Sequence, residues 1–174
     1  MTSLAVPALL YAEAVQHLDS RPEEVGFFLA EWEPTPQRFA VREWRAIASD
    51  GLEVQTDYHV SLTDETSAEI IKWAWDERMC LIETHSHELP GPAEFSPSDL
   101  MGLDEWVAHL WWRLHQRPYA ALVRGDGTLD GLSWVDGPGS QAALLGLEID
   151  DGRRIAMTGA TARRSVSGVR RNGS

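Results

Sequence analysis

The sequence predicts an α/β domain of the α+β type, with a mostly antiparallel or mixed sheet flanked by helices. Three observations carry this expectation. Short apolar or alternating runs recur along the chain, separated by Gly, Asp and Pro turn signals such as Asp126, Gly127 and Asp151, Gly152. Three longer segments repeat their apolar residues at helical spacing. The strict strand–helix alternation of a doubly wound parallel fold is missing, as is any internal repeat. With 174 residues and 43% hydrophobic content, the chain suits one domain with a sizeable core, because a domain of this size buries roughly 70% of the surface its unfolded form exposes.

In chain order, a first helix is expected from Pro7 to Leu18, where Leu9, Leu10, Ala14 and Leu18 recur on one face and Pro7 suits a helix start. After Ser20, Arg21 and Pro22, EEVGFFLAEWE reads as a mostly apolar strand, Pro34 and Pro36 mark a turn, and RFAVREWRAIA reads as a second strand. Asp50 and Gly51 mark another turn before EVQTDYHVSL, which is expected to be extended. Ile70, Ile71, Ala74 and Trp75 share one face of a helix from Asp64 to Glu77. MCLIET is a buried strand, so Cys80 reads as a core residue rather than a reactive thiol. The clearest helix follows, with Leu100, Leu103, Trp106, Val107, Leu110, Trp111 and Leu114 on one stripe and Pro118 ending it. YAALVRG, GLSWVD, ALLGLEI and RRIAM complete the strands. Residues 1–160 are expected to form the domain, and 161–174, rich in Arg, Ser and Gly, a basic flexible tail.

Composition excludes several classes. A net charge of −12 argues against general nucleic-acid binding, which needs a basic surface to replace phosphate counterions. Six arginines against a single acid in residues 151–174 leave the remainder more acidic still. No run of about 18 apolar residues offers a membrane span. The N-terminal stretch lacks the basic segment of a signal peptide, so a cytoplasmic location is expected. One cysteine rules out an internal disulfide.

Residues 83–100 read ETHSHELPGPAEFSPSDL. On an extended chain His85 and His87 point to one side and can present two imidazoles to one ion, although HxH by itself is weak evidence. Ser96, Pro97 and Asp99 have a structural explanation as N-cap, first helical residue and third-position acid. Such a cap would also hold Asp99 rigidly beside the loop returning from the histidines. Two neutral imidazoles and a carboxylate form a common zinc-ligand set, and three protein ligands leave a fourth position open, as in catalytic sites. Ser96 is a candidate donor to an oxyanion; a general base has to come from elsewhere.

HSH, a loop and then SPSD resemble the JAMM motif of the JAB/MPN-domain metalloproteases, in the bacterial single-domain JAB form. In that family two histidines and an aspartate bind zinc, the serine assists at the oxyanion, and a glutamate three residues before a glycine stands at the edge of an apolar strand after the first helix. PEEVGFFLA supplies this pattern, with Glu23 three before Gly26. The resemblance spans residues from about 5 to 117. It implies an MPN/JAB-like, cytidine-deaminase-like fold with a central mixed sheet flanked by helices. It also implies Zn2+ held by His85, His87 and Asp99, with Glu23 as base and Ser96 as oxyanion donor. The implied activity is hydrolysis of the amide after the C-terminal glycine of a ubiquitin-like protein, in deconjugation or precursor maturation. Short bacterial relatives accompany ubiquitin-like systems, including antiviral ones, so E1-like and E2-like enzymes are the implied partners. A composition with many Ala, Gly, Arg and Trp residues and a single lysine is that of a GC-rich bacterial gene product. Two alternatives accompany this reading: a sulfur-carrier-protein processing peptidase that releases an amino acid, and a non-catalytic MPN scaffold or binding module. The chain departs from the family in having Glu88 where a proline usually follows the second histidine, and eight rather than seven residues before Ser96.

Glu24 is a rival base by composition, but strand alternation points it to the opposite face from Glu23. His17, His59, His109 and His115 lack metal-ligand spacing and read as surface or packing residues. Trp106 and Trp111 read as core; a partly exposed partner surface is the alternative for Trp112 and Trp134. Glu83 and Glu88 flank the histidines, either tuning the charge of the site or facing water.

Overall fold

A computed structural model describes residues 1–20, 22–55 and 60–164 of the chain. Its centre is a mixed nine-stranded sheet in the order β11-β10-β1-β3-β2-β6-β7-β8-β9, formed by β1 (Ser3–Val6), β2 (Val25–Pro34), β3 (Gln37–Ala46), β6 (Cys80–His87), β7 (Tyr119–Gly125), β8 (Thr128–Trp134), β9 (Gln141–Ala143), β10 (Gly146–Ile149) and β11 (Arg154–Ala156). β4 (Leu52–Gln55) and β5 (Val60–Leu62) form a separate antiparallel pair. The helices are α1 (Ala8–Leu18), α2 (Asp64–Glu77) and α3 (Pro97–Arg113), with residues 160–164 helical at the end of the described chain.

Strand alternation divides the core into two layers. Phe27, Leu29, Leu81, Tyr119, Ala121 and Val123 pack on α2 and α3 through Ile70, Ala74, Leu103, Val107 and Leu110. Phe28, Ala30, Cys80, Ile82, Ala120 and Leu122 face the other way, with Ala14 of α1. Cys80 is therefore a core residue, and burial pushes its thiol up to about 12.

Local signals explain the best-defined elements. Thr63 caps α2 by accepting from the Thr66 amide at 3.1 Å, and Arg78 closes the helix with φ 57°. Ser96 and Asp99 form a reciprocal capping box at the start of α3, with Pro97 at its first position. α3 stops at Arg113, before Pro118, as His115 and Gln116 turn to positive φ. β6, α3 and β7 make a parallel crossover, which hangs α3 over the strand it must serve.

Several features differ from the sequence expectation or sharpen it. β1 precedes the first helix and is inserted in parallel between β3 and β10; its four residues end against Pro7 and carry little periodicity of their own. ALLGLEI is divided between β9 and β10, because Leu144 is buried between them and its amide bonds to Gly131 O. EVQTDYHVSL contributes β4 and β5, which pair with each other, while residues 56–59, with His59, lie outside the described residues. Trp134 is a core residue, only 1% exposed, so the partner-surface alternative fails there; Trp112 is 72% exposed.

The expected domain boundary at 160 falls inside a docked segment. Asp130, itself buried, accepts from the amides of Gly159 and Thr161 and from the Thr161 hydroxyl. Thr161 Oγ1 in turn accepts from the Phe95 amide at 3.0 Å, and Arg164 donates to Phe95 O. Thr158 Oγ1 donates to Ala93 O at 2.6 Å. The packed structure thus reaches Arg164; residues 165–174 of the expected tail lie outside the described residues.

Candidate metal centre

The end of β6 carries the two histidines. Its alternation sends Glu83, His85 and His87 toward α3, while Thr84 and Ser86 face the α1 side. The capping box then fixes the carboxylate: Asp99 Oδ2 accepts from the Ser96 amide at 2.7 Å while Ser96 Oγ accepts from the Asp99 amide at 3.1 Å. With its backbone and side chain both held, Asp99 Oδ2 lies 3.1 Å from His87 Nε2 and 3.6 Å from His85 Nε2, and the two Nε2 atoms are 3.2 Å apart.

These spacings suit an ion. A tetrahedral centre with bonds of about 2.0–2.1 Å sets its ligand atoms about 3.3–3.4 Å apart, which lies within the 3.1–3.6 Å found here. His85, His87 and Asp99 therefore form a group that could hold a metal ion. The electrostatics favour positive charge at the same point. Burial by itself would lower the His85 pKa, but Asp99 and Glu83 on its two sides push it up to about 10. Burial would raise Asp99, yet hydrogen bonds from His85, His87 and Ser96 hold it well below the usual carboxylate range. Phe95 walls the site, its ring 5.6 Å from that of His85 in an edge-on contact.

Glu23 reaches the site through sheet pairing. β2 and β6 are antiparallel with Val25 opposite His85, and the Ser86 amide bonds to Glu24 O at 3.0 Å, so the ladder continues past the strand end and carries Glu23 toward His87. Glu23 is 3% exposed, and its surroundings include His87, His85, Asp99 and Glu88. Burial raises its pKa above the ordinary glutamate value, with the histidines opposing this. Glu24 points the other way, 3.6 Å from His17 on α1. Gly26 is required by packing, since a Cβ there would overlap the Trp44 ring from β3 and meet Arg45 O at 3.0 Å.

All five expected residues, Glu23, His85, His87, Ser96 and Asp99, thus gather at one end of β2, β6 and α3. Ser96 Oγ also lies 2.9 Å from Ser98 Oγ. A cavity of about 240 Å³ opens beside His85 and Asp99, walled by Phe27, Val60, Leu62, Leu103 and Trp106. Among the described residues the other histidines stay apart: His17 Nε2 is 3.0 Å from Val25 O, His115 stacks edge-on with Trp75, and His109 lies over Trp106. Sequence reasoning missed the partners of Glu83. Its Oε2 accepts from Tyr119 OH at 3.0 Å, and Tyr119 OH accepts from Trp106 Nε1 at 3.1 Å. Glu83 could be noticed from its place two residues before His85; nothing in the sequence singles out Tyr119.

No protein-family model and no curated protein matches the chain. Among solved structures it is similar to the solution structure of protein DSY2949 from Desulfitobacterium hafniense, with a TM-score of 0.54, 14% sequence identity, and coverage of 86% of this chain and 93% of that one. At this identity the likeness is one of fold. Among the described residues no helix is long and apolar enough to cross a membrane.

Proposed function

We propose that the chain is a zinc-dependent peptidase or isopeptidase of the JAMM type, which hydrolyses the amide after the C-terminal glycine of a ubiquitin-like protein. The observation that carries the reading is the convergence of a buried carboxylate, Glu23, from the segment leading into β2, on the His85, His87 and Asp99 cluster, whose ligand atoms are spaced for a tetrahedral ion. A structural metal site is usually closed by four protein ligands, whereas three ligands with a neighbouring base are the makings of hydrolysis.

When bound, zinc would supply an acidified water and a positive charge for the carbonyl oxygen under attack. Glu23 would take the proton from that water and return it to the leaving amine. Its burial suits both halves of the task, because a raised pKa makes it a stronger base and a better proton carrier near neutrality. Ser96 Oγ uses a lone pair to accept from the Asp99 amide, so its own proton remains to donate, to Ser98 Oγ or to the developing oxyanion. The apolar cavity beside His85 and Asp99 offers an approach for an extended substrate chain. The ubiquitin-like substrate class rests on the sequence resemblance.

The test joins metal analysis to an assay. Purified protein is expected to carry about one zinc per chain, lost in His85→Ala, and to release a peptide or amine fused after the terminal glycine of a ubiquitin-like protein. A folded wild-type chain that takes up no divalent metal, or cleavage undiminished in Glu23→Ala, would overturn the proposal.

A further inference from the structure

Three protein ligands are only as well aimed as the groups that hold them, and His85 is held from behind. Its Nδ1 is sealed from solvent and has no hydrogen-bond partner. The carboxylate that faces it is Glu83, with Oε1 at 3.6 Å. That gap slightly exceeds a hydrogen bond and closes with a small rotation of either side chain. We propose that Glu83 is a positioning residue for His85, fixing the imidazole so that Nε2 faces the ion, and that Tyr119 and Trp106 fix Glu83. This rests on the metal-centre reading above.

Proton accounting gives the chain of bonds its direction. An indole N–H can only donate, so at 3.1 Å Trp106 must give its proton to Tyr119 OH. Tyr119 has one proton, and it goes to Glu83 Oε2 at 3.0 Å. Glu83 is thereby pinned through one oxygen and presents the other to Nδ1–H of His85. A proton on Nδ1 leaves the Nε2 lone pair free for a metal, the tautomer a ligand of this kind needs. β6 supplies Glu83 and His85 two residues apart on one face, and β7 brings Tyr119 from the adjacent strand. Asp99 and Trp106 are seven residues apart on α3, so this helix meets the His85 ring on both sides: Asp99 at Nε2, and Trp106 through Tyr119 and Glu83 at Nδ1.

The experiment compares zinc affinity, by competition against a chelator, in wild type, Glu83→Ala, Glu83→Gln and Tyr119→Phe. Each is also read by the visible spectrum of the cobalt-substituted protein and, in the zinc-bound protein, by the NMR shift and solvent exchange of the His85 Nδ1–H proton. Glu83→Ala is expected to bind zinc about 10- to 100-fold more weakly, the usual cost of removing a partner behind a metal-bound histidine. Its cobalt spectrum should be altered, and in the zinc-bound protein the His85 Nδ1–H proton should lose its hydrogen-bonded shift and exchange faster with solvent. Glu83→Gln should fall between, since its amide oxygen still accepts from Nδ1–H, and Tyr119→Phe should weaken binding less than Glu83→Ala. Wild-type affinity with an unchanged cobalt spectrum and an unchanged His85 Nδ1–H signal in both Glu83 variants would overturn the proposal while leaving the metal centre standing. A wild-type chain that binds no metal would overturn both. Should Glu83→Ala not fold, Tyr119→Phe and Glu83→Gln decide through the His85 shifts, and no change in either counts against the proposal.

Discussion

Asp99 caps a helix and, in the proposed function, binds the metal, and two substitutions separate these roles. Asp99→Ala removes the acceptor of the Ser96 amide, at 2.7 Å, and the negative charge in the first turn of α3. Losing a capping interaction costs about 1 kcal/mol and the charge at the helix N-terminus about 0.3–1 kcal/mol. The metal-free variant should therefore be at least about 1–2 kcal/mol less stable, with the loss of the charge partner of His85 added to that. Asp99→Asn keeps an oxygen for the Ser96 amide, so it should spare the cap and lose only what the charge supplies at the helix N-terminus and opposite His85. Metal separates the variants further. Zinc at a hundred times its dissociation constant stabilises a binding-competent protein by about 2.7 kcal/mol, which for a domain of this size raises the midpoint by about 5–11 °C. Thermal unfolding with zinc and with a chelator is expected to show that shift in wild type, little of it in Asp99→Asn and none in Asp99→Ala. A zinc-dependent shift of wild-type size in Asp99→Ala would refute the assignment of Asp99 as ligand. Metal-free stability equal to wild type in that variant would refute its role in the cap.

Glu23→Gln should lower kcat for amide hydrolysis by about 100-fold or more, with zinc content unchanged. In chelator the Glu23 carboxyl should titrate above the ordinary glutamate value, because burial raises it; an NMR titration at or below that value would count against its burial beside the histidines. Ser96→Ala is expected to cost about 100- to 1,000-fold in kcat and about 1 kcal/mol in stability through the lost N-cap, measured by steady-state kinetics and urea unfolding. Gly26→Ala should destabilise the fold by about 1–3 kcal/mol through collision with Trp44, read by the same unfolding assay. In chelator, stability should decline from pH 6 to pH 8.5 by up to about 2–3 kcal/mol. The His85 pKa is raised to about 10 in the folded chain, so its contribution is complete below the unfolded value near 6.5 and is lost as pH rises; equal stability at both pH values would show that the histidine is not held charged.

What was legible in the sequence is what short-range chemistry writes. The spacing of His85 and His87 is a strand period and that of Ser96 and Asp99 a capping box, so each half of the metal group could be read locally. α2 and α3 were legible for the same reason, having both apolar periodicity and capping residues. Bringing Glu23 to His87 requires the β2–β6 register, a non-local fact that no local pattern contains; the residue was found through the resemblance of PEEVGFFLA to a family pattern. The Glu83, Tyr119 and Trp106 relay crosses two strands and a helix, and the Asp130 and Thr161 clamp joins the far end of the chain to the site loop, so neither leaves a mark in sequence. β1 was invisible because a four-residue strand next to a helix start adds almost nothing to the periodicity already assigned to α1, and Trp134 because a tryptophan in a strand can face either layer.

Order of synthesis adds a consequence to the clamp on Phe95. Every residue assigned to the metal centre has been made once Asp99 emerges, but Phe95 meets Thr161 across 66 residues of sequence. At about 5–20 residues per second the ribosome needs roughly 3–13 seconds to supply that interval. During it, the loop between the histidines and α3 has its cap and the Ala93 amide bond to Thr128 Oγ1, but not the bonds from Thr158, Thr161 and Arg164. A nascent chain would thus hold its ligands before it holds them still, because the Thr158–Arg164 segment that fastens the loop is made after them.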